Sequence, residues 1–186
     1  SLMIPIEPLA TMAITTVLVA LFITDIEQQL LPSSIIYTGM GLAVVLAILR
    51  YVAGGFRVSH YGLIAVLWPE LITQHGLDFV TLDLFSQPVG MLIGFALFWL
   101  IWRVSRGGMG YGDVRLAALC GLVLGGAGII AASMASFILG GLAAVIMLIS
   151  RRGDMKTAIP FGPFLILTSF IWMLWGDVLM KSYLGI

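Results

Sequence analysis

Hydrophobic residues in this chain run in long blocks separated by short polar stretches. Six blocks stand out, at about residues 8–25, 34–53, 88–105, 113–130, 132–150 and 159–179. A helix needs roughly 20 mostly apolar residues to cross a bilayer core, fewer where its ends lie in the interface. Each block is therefore read as a transmembrane helix. Residues 116–150 carry no charge. A single helix of that length would measure roughly 52 Å, against roughly 30 Å of hydrocarbon. Gly125, Gly126 and Gly128 mark a hairpin turn that splits the stretch into two short spans. Pro32, Ser33 and Ser34 form a start signal for the second helix. The sixth is entered irregularly, from Thr157 through Pro160, Phe161, Gly162 and Pro163. Non-helical backbone at membrane depth is tolerated only against protein or a water-filled cavity.

Composition agrees with this pattern. The 186 residues are 61% hydrophobic and 10% charged, with a mean hydropathy of +1.13. A soluble domain carries about 25% charged residues. The fold expected is all-α: a polytopic membrane protein with six transmembrane helices, forming one membrane-embedded domain over residues 1–186. The lipid bilayer is its first partner. Zero net charge leaves no basic footprint for nucleic acid. Cys120 is the only cysteine, which excludes an internal disulfide and reads as a small packed residue. His60 and His75 lie in the polar loop without clustered cysteine or carboxylate, so no metal site is expected. Ser1 and Leu2 precede Met3 and read as a cloning scar. Residues 9–24 read as a retained span, since Glu7 is acidic and no basic residue precedes the run.

Charge sets the orientation. In the six-span arrangement Arg103, Arg106, Arg115, Arg151, Arg152 and Lys156 share one side, and Arg50, Arg57 and Lys181 the other. The positive-inside rule makes the first side cytoplasmic. Both termini then lie outside, and residues 53–87 form a long extracytoplasmic loop. Residues 61–68, with Leu71 and Ile72, read either as an interfacial helix anchored by Trp68 or as a loop packed on the outer surface.

Asp25 and Asp113 fall at the cytoplasmic ends of their helices, at the edge of the apolar spans. A carboxylate beside hydrocarbon is costly and marks a functional position by default. Two that meet form an acid/base pair sharing one proton, because like charges a few ångströms apart do not both ionise cheaply. The ionised member takes a proton from water, and the protonated member polarises a scissile carbonyl and later protonates the amine. Gly110 and Gly112 leave room for an extended substrate backbone beside Asp113. The alternative is that these glycines only make a loop, with Asp113 as an N-cap, and that Asp25 is a solvated acid at a helix end. Glu27 points to another face than Asp25. Arg115 reads as a topology anchor, Tyr111 as a residue shaping the site, and Asp154 as a partner of nearby loop cations.

Together, residues 25–32 (DIEQQLLP), 108–113 (GMGYGD) and 159–164 (IPFGPF) resemble the type IV prepilin peptidases, membrane aspartic proteases with a Gly-x-Gly-Asp motif. The resemblance covers about residues 9–52 and 88–180. It implies that Asp25 and Asp113 are catalytic, with Gly110 and Gly112 beside the substrate. It also implies that prepilins or pseudopilins lose their basic leader after a glycine, on the cytoplasmic face of the inner (plasma) membrane, without a metal. Such enzymes serve type IV pili and type II secretion. Bifunctional members carry a further N-terminal span and a cytoplasmic domain, often with paired Cys-x-x-Cys, and methylate the new N-terminus with S-adenosylmethionine. Here 24 residues precede Asp25, so S-adenosylmethionine is expected only if methyltransferase activity is present. The chain reads as a short, protease-only member or a trimmed core. Glu27 stands where the family often has a second aspartate, and the 53–87 loop is longer than the family's. A presenilin-type protease would pair its motif with a Tyr-Asp on the preceding span, whereas Asp25 follows Thr24 two spans earlier. Rival readings from other classes are a proton-coupled transporter, which predicts midplane acids and internal repeats, and a non-catalytic secretion-system subunit.

Overall fold

The computed structural model describes residues 6–28, 32–52, 79–105, 109–150 and 161–184. They form five helices: α1 (Ile6–Gln28), α2 (Ser33–Val52), α3 (Phe79–Ser105), α4 (Tyr111–Ile149) and α5 (Gly162–Leu184). No strand occurs among the described residues. Two segments, Ser86–Ser105 and Tyr111–Met147, are long and apolar enough to cross a membrane. The apolar parts of the other helices, Thr11–Ile26, Ser33–Leu49 and Gly162–Gly176, are shorter. Five helices thus stand where six were expected, and the difference lies in α4.

Within α4, Gly125 has φ 72° and ψ 179°. That is the left-handed region, which costs any residue with a Cβ. Both Ala117 and Ile129 lie against Gly94 of α3, although a straight helix would hold them roughly 18 Å apart. Further along, Phe98 of α3 stacks on Phe137 with centroids 5.7 Å apart, while Trp102 meets the ring of Tyr111 at 5.3 Å. The two halves of α4 therefore run in opposite directions beside α3, reversing at Gly125. The glycine cluster was a sound turn signal, but the turn falls ahead of the expected boundary at 130–132. The Ser86 hydroxyl accepts the Gly126 N–H at 3.3 Å, satisfying one of the free amides that open the second limb.

The first limb, residues 111–124, is the centre of the bundle. Val114, Leu116, Ala117, Ala118, Leu119 and Cys120 are all buried. Around them pack Leu18 and Leu21 of α1, Ile36 of α2, Phe98 of α3, and Leu165 and Ile166 of α5. Gly90 and Gly121 put the backbones of α3 and this limb in direct contact, as small residues do where apolar helices pack in lipid. The second limb presents Met134, Ile138, Leu142 and Ile146 outward, a stripe at helical spacing that suits lipid rather than water.

The third helix begins at Phe79, with Pro88 inside it, rather than at residue 88. Proline forfeits one helical hydrogen bond and crowds the preceding turn, and the helix carries through that loss. Residues 79–87 thus belong to α3 and not to the loop. The remainder of that loop, 53–78, with Arg57, His60, Trp68 and His75, lies outside the described residues, as do Ser1, Leu2, Arg106, Arg151, Arg152, Asp154 and Lys156.

Candidate active site

The helical repeat itself puts Asp25 inside. Leu18, Leu21 and Asp25 follow one another at helical spacing on the buried face of α1 and are 2%, 0% and 4% exposed. A solvated acid at a helix end is therefore not what Asp25 is. The preceding hydroxyl, Thr24 Oγ1, donates to the Ala20 carbonyl at 2.6 Å, turning back along its own helix. Asp25 Oδ2 is buried with no hydrogen-bond partner. A buried polar atom left in that state calls for a specific account.

Asp113 sits in the first turn of α4, as its third residue. Gly110 holds the capping position, and its carbonyl accepts the Asp113 N–H at 3.1 Å. The carboxylate in turn accepts from the Gly110 backbone N–H, which is one half of a capping box; glycine has no side chain to supply the other. Asp113 is thus not the N-cap, and only part of its carboxylate is committed to the helix end. Gly110 is exposed and Gly112 half-buried.

Gly162, the first residue of α5, brings the two acids together. A Cβ at this position would overlap Asp25 Oδ2 and lie 3.4 Å from Asp113 Oδ1. The carboxylates of α1 and α4 thus share one hydrogen-faced surface and feel each other's charge. Two helix N-termini, those of α4 and α5, present the positive ends of their dipoles to the pair. The Phe161 carbonyl opens α5 by accepting the N–H of Phe164 at 3.1 Å and of Leu165 at 3.3 Å. Its ring is held by Phe98 at 5.6 Å and Phe137 at 5.1 Å, so three aromatic rings fix where Gly162 sits.

Arg115 does more than anchor topology. It donates to the Ser33 hydroxyl and lies over the rings of Tyr111 at 4.8 Å and Tyr37 at 5.6 Å. The start of α4, and with it Asp113, is thereby tied to α2 through cation–π contacts. The motif at 159–164 marks this segment in the sequence, but not the contact of Gly162 with both acids. The tether through Tyr37 and Ser33 carried no sequence signal, since both partners lie far from Arg115 along the chain.

A groove of 160 Å³ opens between α1 and α5, lined by Leu18, Val19, Phe22, Ile166, Leu167 and Phe170. Its walls are wholly apolar. They offer no donor or acceptor for the ribose, carboxylate or sulfonium of S-adenosylmethionine, so the groove does not fit that cofactor.

Residues 12–145 match the model of the type IV leader peptidase family, a range that includes Asp25 and Asp113. A Pseudomonas putida protein named prepilin leader peptidase/N-methyltransferase is 32% identical over 178 residues, covering 95% of this chain and 53% of the relative. A protein of the same name from Pseudomonas aeruginosa is 38% identical over 122 residues, 64% of this chain and 42% of the relative. Another from Stutzerimonas stutzeri is 28% identical over 176 residues, 94% and 52% respectively. The chain spans about half the length of the curated relatives it matches. No solved structure matches it.

Proposed function

We propose that this chain, which belongs to the type IV leader peptidase family, is a membrane aspartic endopeptidase that removes the basic leader of type IV prepilins or pseudopilins. The observation that carries this reading is the meeting of Asp25 and Asp113 at Gly162. The names of the similar proteins support the substrate class.

In this reading the chain crosses the inner membrane six times, with the two limbs of α4 crossing separately. The first limb is short for a bilayer, so its ends lie in the interface. The arginines and lysine expected on the cytoplasmic side put the carboxylate pair there too.

The pair works as one unit. One carboxylate is ionised and accepts a proton from a water as its oxygen bonds to the scissile carbonyl carbon. The other is protonated and donates to the carbonyl oxygen, which becomes the hydroxyl of a tetrahedral intermediate. Collapse then breaks the C–N bond, the departing amine takes a proton from the pair, and one hydroxyl of the intermediate returns a proton to the pair as the carbonyl re-forms. Gly110 and Gly112 leave the approach to Asp113 free of side chains for an extended substrate. Proteolysis asks for no metal in this scheme. S-adenosylmethionine would be required only for methyl transfer, and no step here runs through it.

The test is cleavage of a purified prepilin by the purified chain in detergent. A leader-length mobility shift, absent with Asp25→Asn and with Asp113→Asn, is the expected result. A folded wild-type chain that leaves the prepilin intact would overturn the reading.

A further inference from the structure

We propose that the apolar groove between α1 and α5 seats one large apolar side chain from the membrane helix of the substrate. This inference rests on the peptidase reading above and adds a binding position to it. The groove belongs to the same two helices that carry Asp25 and Gly162. Leu18 and Ile166 are buried in its floor, while Val19 is 46% and Leu167 44% exposed at its rim. Phe22 and Phe170 complete it.

Size limits what enters. The volume is 160 Å³, and a protein cavity of about 150 Å³ lined by Leu, Ile and Phe takes up one benzene-sized molecule. One ring-sized or branched aliphatic side chain fills it; a whole helix or a polar headgroup does not. With no polar atom lining it, the groove contributes only to the apolar part of a substrate.

Position ties that side chain to a register. Phe22 and Leu18 precede Asp25 by about one and two turns of α1, and Ile166 and Phe170 follow Gly162 by about one and two turns of α5. The groove therefore lies roughly 5–12 Å deeper along the helices than the carboxylates, at 1.5 Å per residue. A substrate that leaves the pair extended, at about 3.3 Å per residue, and turns helical below it brings residues roughly 2–8 after the scissile bond level with the groove. One of those residues is the occupant. The leader, on the other side of the bond, stays clear of it.

The test fills the groove from its rim. Val19→Trp and Leu167→Trp place the added rings at exposed positions, sparing the packed floor. With a full-length prepilin in detergent, each lowers kcat/KM at least tenfold through a raised KM, while the melting temperature is unchanged. In parallel, a photo-crosslinking residue at position 167 of the Asp113→Asn chain labels the prepilin within about residues 2–8 after the scissile bond. Wild-type kcat/KM in both tryptophan variants would overturn the proposal and leave the peptidase reading intact. So would crosslinks confined to lipid or to a second copy of the chain. A wild-type chain that cleaves nothing removes the peptidase reading, and this inference with it.

Discussion

Ser136 and Thr168 meet across the second limb of α4 and α5; Asp25 and Asp113 meet across α1 and the first limb, roughly 9 Å away along α5. The two clusters are finished in opposite ways. The Ser136 and Thr168 hydroxyls lie within hydrogen-bond reach of each other and of carbonyls, Ala132 for both and Phe164 for Thr168, so each has an acceptor for its single proton. At the carboxylates, Asp25 Oδ2 has no such partner, and a second acid stands beside it. Satisfied hydroxyls join helices and have nothing left to react with. Neighbouring Ser133 also has an unpaired hydroxyl, but a neutral hydroxyl costs only about 1–3 kcal/mol to bury. A carboxylate costs far more unless it shares a proton or a substrate. The contrast locates chemistry at the acids and structure at the hydroxyls.

The strongest challenge to this contrast is Gly162→Ala. The added methyl overlaps Asp25 Oδ2 and touches Asp113, so cleavage should fall about 100-fold or more, equivalent to about 2.7 kcal/mol. Gly162 is the first residue of α5, so alanine gains little of its helix-interior advantage there, and the overlap costs stability as well as rate. A melting curve alongside the rate separates the two effects. Near-normal cleavage would mean that the carboxylates do not work where they meet.

Gly125→Ala addresses the reversal that carries Asp113 to its place. The left-handed φ costs an alanine about 1–2 kcal/mol, and its methyl also crowds Ser86 Oγ at 2.6 Å. Denaturation in detergent should shift by at least that amount. An unshifted curve would show that the chain does not turn there.

Arg115→Leu removes the tether to Tyr37, Tyr111 and Ser33. A cation–π contact is worth about 0.5–1 kcal/mol at exposed sites, so a loss of about 1 kcal/mol in stability is expected. Cleavage should fall several-fold through kcat, because Asp113 is less well held, and Arg115→Lys should restore part of it. Recovery by lysine equal to wild type would leave no role for the flat guanidinium between the rings. The smallest effect belongs to Ser136→Ala. Interhelical hydrogen bonds in membranes average about 0.6 kcal/mol, so a loss of that order should appear in unfolding, with cleavage unaltered. Lost cleavage in that variant would erase the distinction between the clusters.

Much of the site was legible along the chain because two acids at the edges of apolar blocks are conspicuous. Asp25 and Asp113 stand out for that reason, and residues 25–32, 108–113 and 159–164 pointed to the family to which residues 12–145 match. What was not legible depends on contacts distant in sequence. Gly162 matters through two side chains brought to it from α1 and α4; the 159–164 motif marks the segment but not those contacts. Arg115 has a charge that sequence rules read as topology, while its partners Ser33 and Tyr37 lie on another helix. Among three nearby glycines, only Gly125 takes a positive φ; composition marks the turn, but packing against Gly90 and Ser86 selects the residue. Helix boundaries misled at Pro88, where the apolar block begins but α3 is already under way. Asp113 looked equally suited to capping, yet Gly110 holds that position and frees the acid.

The most direct test of the central claim compares kcat/KM on a full-length prepilin for Asp25→Asn, Asp113→Asn and the double variant. Groups that act as one unit lose nearly everything with the first substitution. The account therefore predicts that both single variants fall to background and that the double variant is no worse. Residual turnover in either single variant, or losses that add in the double, would contradict a shared carboxylate pair.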